Sequence, residues 1–230
     1  MDWTRWEHNW YEQSSEQLRD HVSLAIEVHD FVELVAKHDQ IVNSKRTQTR
    51  DLERGLMRRL GEEYRSVDLL ATNGHGFQAM SSCANLFELA HTLGYIVNND
   101  DAAAEWFASD NRKRGPWDVR ALVNRNGQNL GRDKARCDEE YGRYRFACGF
   151  KHHNPLFTRI LNLPIDPDLY CAQFALAEGA NLALVGVGLV ALFRLDGEHC
   201  STALQLANNL FDRAAKAFPQ INKLCPEDAS

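Results

Sequence analysis

Apolar residues recur along this chain at three- and four-residue intervals, and no segment shows the β-branched alternation of a strand. The pattern predicts a first helix from about Ser14 to Ile41, with Leu18, Val22, Ile26, Val32 and Val35 supplying much of its apolar stripe. A second, strongly charged helix runs from about Arg46 to Ala71 on a narrow seam of Leu52, Leu56, Leu60 and Leu69, and Asn73-Gly74 ends it. The third, about Phe77 to Val97, is apolar on most sides (Met80, Ala84, Phe87, Leu89, Ala90, Leu93, Tyr95), which predicts a central place for it. Asn98-Asn99-Asp100 caps a short helix through Trp106. A polar linker from Asp110 to Pro116 leads to another short helix around Trp117–Asn124, and Asn126-Gly127 with Gly131 reads as a loop. A helix from near Asp133 is stopped by Asn154-Pro155, since proline disfavours αR in the residue before it. Two more follow, about Asp168–Leu195 and His199–Phe218, separated by Asp196-Gly197.

With 230 residues, 44% of them hydrophobic and 25% charged, the chain is long enough to bury a substantial core. Its net charge of −6 gives no overall field toward nucleic acid or an anionic membrane. A local patch could come from Arg112-Lys113-Arg114 or from Lys45, Arg46, Arg50, Arg54, Arg58 and Arg59, although such runs are usually solvated helix faces. The start has no basic segment followed by an apolar one, so it does not read as a secretory signal. Gly179 to Phe193, the most apolar stretch, is short for a bilayer and follows Glu178, so we expect a buried core helix and no membrane. The six cysteines are scattered without a CxxC pair, which fits a reduced, cytoplasmic protein with no zinc site.

The chemistry concentrates in Tyr144-Arg145-Phe146-Ala147-Cys148-Gly149-Phe150-Lys151-His152-His153-Asn154-Pro155. Arg145 and His152, seven apart, share one helical stripe about 10 Å apart along the axis. A guanidinium that holds a phosphate and an imidazole that moves a proton suit phosphate chemistry. Cys148 lies one turn before His152, and Lys151, His153 and Asn154 add polar groups at the helix end. The bland alternative pairs Arg145 with Asp138 or Glu139 and leaves His152 as a residue that complements the helix dipole.

Other constellations are weaker. Glu88 and His91 form E-x-x-H, half of a di-iron bundle site, but no second such pair exists, so a hydrogen-bonded polar spot in the core is the better expectation. His29-Asp30 and His38-Asp39 are nine residues apart on opposite helix faces and cannot share an ion. Cys148 with His152 lacks the elbow or acid partner that a nucleophile pair needs. Trp3, Trp6 and Trp10 at i, i+3 and i+7 make either an aromatic clip onto the chain's own bundle or a docking face for a partner chain.

Ser82-Cys83-Ala84-Asn85-Leu86-Phe87-Glu88-Leu89-Ala90-His91 through Tyr95-Ile96, with Asn98-Asn99-Asp100-Asp101 and Trp106-Phe107, resembles the central helices of bacterial HEPN-like proteins. Tyr141–Pro155 resembles the Tyr-rich helix ending in His that follows them in an uncharacterised branch of that family. The resemblance covers about Phe77 to Pro155 and implies an all-α bundle of four to five core helices with additional N- and C-terminal helices. On it, the chain divides into one domain, 1–230, with 1–72 as an N-terminal helical extension and 75–218 as the HEPN-like core. It also implies a homodimer and a metal-independent ribonuclease of a toxin–antitoxin or phage-defence system, with RNA as substrate, an antitoxin or other protein partner, and no cofactor. Arg145 and His152 map onto the family's Arg and His with six residues between. His152 would act as general base or acid on the RNA 2′-hydroxyl, and Arg145 would stabilise charge on the phosphate in a cleft composed across the dimer. Glu88 could orient His152 from the neighbouring helix. Phe146 stands where a polar residue often follows the Arg, and Asn154 where one nuclease subset has Tyr. A second expectation, of another class, is a non-catalytic helical module whose Arg/His cluster holds an anion or nucleotide.

Overall fold

A computed structural model describes residues 3–97, 99, 101–109, 116–152, 160–162 and 165–219. The chain is all-α, a helical bundle with no strand among the described residues. Its helices are α1 (Trp3–Ala36), α2 (Asp39–Val42), α3 (Gln48–Thr72), α4 (Gly76–Val97), α5 (Ala102–Ala108), α6 (Val119–Asn129), α7 (Lys134–Lys151), α8 (Pro167–Arg194) and α9 (Gly197–Ala217).

The bundle is built around α8. Every residue from Phe174 to Ala191 is buried, so this helix has no solvent face and must be enclosed on all sides. α4, α9, α3 and α1 enclose it. By length and composition α8 could cross a membrane, and it is longer than the apolar stretch alone suggests, but its side chains are buried inside the bundle. α4 is central as expected: Met80, Cys83, Ala84, Leu86, Ala90 and Leu93 are all fully buried. It meets α8 on one side, α3 on another, and α7 and α6 beyond. α3 contributes Leu60, Tyr64 and Val67, each 0% exposed, to the same core.

Several starts are set by side-chain caps. Thr47 accepts from the Arg50 amide, Asp118 from that of Ala121, Asp133 from that of Arg136, and Asp166 from those of Asp168 and Leu169. α1 begins earlier than its periodicity predicts, because Trp6 and Trp10 extend its buried stripe. They lie over Gly74 in the α3–α4 turn, and Glu7 pairs with His75 at 2.8 Å. Trp10 is buried and Trp6 half-buried, so these two act as a clip onto the chain's own bundle; the Trp3 side chain lies outside the described structure. Gly74 has φ of +83°, and a Cβ there would stand 2.9 Å from both indoles, so the turn requires glycine twice over. α1 also ends earlier than expected. The chain breaks at Lys37–His38, where His38 Nδ1 accepts from the Gln40 amide and α2 then turns Ile41 into the core.

The predicted loop at Asn126-Gly127 is helix instead. Asn126 is fully buried, and a Cβ on Gly127 would stand 2.3 Å from Cys137 Sγ. Local turn propensity yields here to the close approach of α6 and α7. The five described cysteines are free thiols.

The starts of α4 and α8 approach closely at Gly76. A Cβ on Gly76 would sit 2.3 Å from the Asp168 carbonyl oxygen and 2.9 Å from the Ala172 nitrogen, atoms that cannot move without shifting a helix. Gly76→Ala is expected to cost about 1–3 kcal/mol in urea unfolding. Gly142→Ala, at an exposed α7 position with nothing within 4 Å, should be neutral or gain up to about 1 kcal/mol. Equal effects of the two changes would contradict this packing.

Candidate functional site

α7 carries polar residues on two faces with opposite fates. On its outer face Arg145 is exposed, and it makes no ion pair among the described residues. The two acids that could have neutralised it are taken: Asp138 pairs with Arg120 at 2.8 Å and Glu139 with Arg143 at 2.7 Å. His152 is the C-cap of α7, exposed, its backbone N–H donating to the Cys148 carbonyl at 3.2 Å. Lys151 reaches sideways to donate to Asn85 Oδ1 at 2.8 Å. His153 and Asn154 lie outside the described residues.

The supporting residues sort differently from expectation. Glu88 accepts from the Tyr144 hydroxyl at 2.8 Å, and the Tyr144 ring stacks on Phe87 at 4.6 Å. Burial, then Glu88 and Cys148 beside it, pushes the Tyr144 hydroxyl up, so it stays protonated and donates. Among the described residues, Glu88 therefore takes Tyr144 and not His152 as its partner. The geometry explains the change: Tyr144 lies two turns before His152, level with Glu88 across the α4–α7 seam. The Cys148 thiol, partly buried, lies against the same hydroxyl.

His91 parts from Glu88 and points into a buried ionic cluster. His91 is 1% exposed and Glu140, on α7, is 0% exposed; His91 Nε2 stands 3.6 Å from Glu140 Oε1. Arg132 donates to the other Glu140 oxygen at 2.6 Å, and Asn126 donates to the His91 carbonyl at 2.8 Å. One turn further along α7, Arg143 donates to Glu178 of α8 at 2.8 Å, where Glu178 is 1% exposed. Burial alone would raise the Glu140 carboxyl, but His91 and Arg132 outweigh it and hold it down to about 2. For Glu178 burial wins over the attraction of Arg143, with Glu140 adding to the rise, and the carboxyl is pushed up to about 7.

No group of three His, Cys, Asp or Glu side chains able to hold a metal ion occurs among the described residues. Glu88 and His91 each have a protein partner instead. The HD pairs do not share a site: His29 packs tilted against Tyr64, and His38, past the end of α1, meets His199 edge to face. The basic run of α3 is not a free patch. Arg50, Arg54, Arg58 and Arg59 face Glu53, Asp51, Glu62 and Glu63, and Arg46 faces Asp51. Arg112-Lys113-Arg114 lies outside the described residues. A hollow of about 760 Å³ is an open groove between α1 and α3 floored by Val32, Ile41 and Met57, and no residue of the α7 end lines it.

Arg132, Glu140, Arg143 and Asn126 were not singled out by sequence. One signal existed, a lone Glu178 beside the most apolar stretch, which demands a buried partner. Nothing in the sequence says that the partner stands 35 positions earlier.

The fold and this arrangement define an all-α bundle with an internal ionic cluster and an exposed Arg/His helix end. Comparison with protein-family models, curated proteins and solved structures finds no match.

Two outcomes follow from the buried cluster. Above about pH 4.3 the paired Glu140 contributes its full stabilisation, which is lost as pH falls toward 2. Glu178 acts in reverse: its folded value lies above the unfolded one, so the fold loses stability as pH rises from about 4.3 through 7. Glu178→Gln should flatten that decline, of order 1–3 kcal/mol, in denaturant melts at pH 5 and 8. Arg132→Met, which strands Glu140, should cost about 3–5 kcal/mol at pH 7.

Proposed function

We propose that the outer end of α7 is the phosphate-handling site of a metal-independent ribonuclease of the HEPN-like kind. The observation that carries the proposal is Arg145, exposed and without an acid partner among the described residues, with no acid three or four positions from it on α7 and with Asp138 and Glu139 paired to Arg120 and Arg143. An unpaired guanidinium keeps its donors for a phosphate oxygen. His152, on the same stripe at the helix end, accepts the 2′-hydroxyl proton. The freed 2′-oxygen attacks phosphorus, the bond to the 5′-oxygen breaks, and that oxygen leaves with a proton from His152 of a second copy of the chain, giving a 2′,3′-cyclic phosphate.

Within one chain the two side chains are poorly placed to clasp one phosphate. They are about 10 Å apart along the axis, and long helical side chains lean toward the N-terminus, which takes Arg145 away from His152. Two copies of the chain meeting across their α7 helices would bring Arg145 of one toward His152 of the other. Cytoplasmic residence and a restraining partner protein belong to the same proposal.

One observation favours the second reading, an anion-binding module without catalysis. No described residue hydrogen-bonds the His152 ring, so none of them fixes its tautomer.

The deciding experiment is cleavage of total and defined RNA by purified protein in EDTA, with Arg145→Ala and His152→Ala alongside. Both side chains are exposed, so both variants should melt within about 0.5 kcal/mol of wild type. The expected outcome is chelator-resistant cleavage, reduced at least about 100-fold in each variant. Mixing the two inactive variants should restore part of the activity if the cleft is composed across a dimer. RNA that is bound but left intact would favour the binding module, and unchanged cleavage in both variants would remove the site.

A further inference from the structure

The side of α8 that meets α7 and the end of α9 carries a buried acid. Glu178 is 1% exposed, and Phe174 and Asn181 lie one turn before and one turn after it on the same stripe. Phe174 meets the Phe218 ring edge to face at 5.3 Å. Asn181 lines a hollow of about 240 Å³ together with Ala215, Phe218 and Pro219. The stripe therefore faces the last turn of α9. Arg143 and Phe218 line the same hollow and Glu178 does not, so these two side chains separate its carboxyl from it. Arg143 donates to Glu178 Oε2 at 2.8 Å, and its guanidinium lies 5.1 Å over the Phe218 ring.

In its charged form this carboxyl is poorly compensated. Glu178 Oε1 and Asn181 Nδ2 are both buried and have no hydrogen-bond partner among the described residues. The one close cation, Arg143, is shared with Glu139 at 2.7 Å. Glu140 opposes ionisation and Arg132 favours it, and those two are paired with each other at 2.6 Å. α4 presents only the Cys83 thiol, and α3 sets Tyr64 against Gly179. The end of α9 presents Ala215 and Phe218, neither of which titrates. A buried carboxylate with an unpartnered oxygen costs far more than the neutral acid. Burial accordingly pushes the Glu178 carboxyl up to about 7.

Linkage then fixes a direction. An opening that lets water reach Glu178 returns its carboxyl toward the ordinary range, so that opening becomes easier as pH rises through the folded value. A helix end opens at lower free energy than a core helix. Lifting Phe218 uncovers Arg143 and the carboxyl behind it. We propose that the last turn of α9 is a latch over Glu178, held while the carboxyl is protonated and loosened when it ionises. The latch involves none of the chemistry proposed for Arg145 and His152.

The test is amide hydrogen exchange of the full chain at pH 6 and pH 8, read by mass spectrometry and corrected for the intrinsic exchange rate. Residues 213–218 should lose protection by up to about tenfold from pH 6 to pH 8. They should be less protected than α4 at both values, which marks a local opening and not global unfolding. Glu178→Gln should remove the change. His21, which donates from Nε2 to the Ala217 carbonyl at 2.9 Å, works in the opposite sense: burial lowers its imidazole, so opening there becomes easier as pH falls. Circular dichroism reports whether Glu178→Gln folds; if it does not, the wild-type measurements decide alone. Protection of 213–218 that is unchanged or higher at pH 8, equal to that of α4, or equally pH-dependent in Glu178→Gln would each overturn the proposal.

Discussion

Two carboxylates inside the bundle, Glu140 and Glu178, fix how α7 sits, and most of what is chemically available on the surface follows from that. Each is almost fully removed from water, and each has one arginine within hydrogen-bond distance: Arg132 for Glu140 and Arg143 for Glu178. A buried carboxylate without its cation is far costlier than a lost surface contact, so these pairs act as keys. Rotating α7 by one residue, about 100°, would withdraw Arg143 from Glu178 and Glu140 from His91 and Arg132 together. Only one rotation satisfies both, and it is the one that turns Arg145 and His152 outward. The pairs do not have to add net stability to do this; they penalise every other register.

The two carboxylates are held in unequal states. Glu140 is flanked by Arg132 and His91 and remains ionised well into acid, whereas Glu178 shares its single close cation with the surface residue Glu139. Glu178 is also enclosed by α8's own apolar neighbours, and burial dominates there. The same crowding leaves Asn181, one turn on, without a partner. α7 is therefore tightly specified at Glu140, against His91 of α4 and Arg132 of the α6–α7 turn, and less so toward α8, where Glu178 has one arginine.

Helices were legible in the sequence because the apolar period is strong in α3 and α9, because α4 and α8 are long apolar runs, and because Asn73-Gly74 and Asp196-Gly197 separate elements through glycines that adopt positive φ. α8 was recognisable as a core helix from composition alone. What was illegible came from contacts between distant positions. Trp6 and Trp10 lengthen α1 because Gly74 lies beneath them, and Asn126-Gly127 stays helical because α6 must approach His91 and Cys137. The candidate site divides in the same way. The spacing of Arg145 and His152 was readable, whereas the single Glu88–His91 polar spot expected in the core is not formed, because the two side chains part toward Tyr144 and Glu140. That Glu88 would choose Tyr144, and His91 would face Glu140, depends on the rotation of α7 against α4, which no local pattern encodes.

An acidic chain can still present cationic sites, and the charge arrangement shows how. The arginines of α3 stand at three- and four-residue spacings from their own helix's acids, so their fields cancel within a few ångströms. Net charge acts over distances that salt screens beyond about 8–10 Å. What a phosphate or carboxylate meets at contact is set by the guanidinium beside it and by whether that guanidinium is already paired. Arg120, Arg143 and Arg132 pair with Asp138, Glu139 and Glu140 of α7, and Arg145 and Arg136 stand without acid partners among the described residues, on opposite faces. The same helix thereby presents two exposed guanidiniums on opposite faces. The internal pairs that fix the helix's rotation also determine which of its arginines remain available.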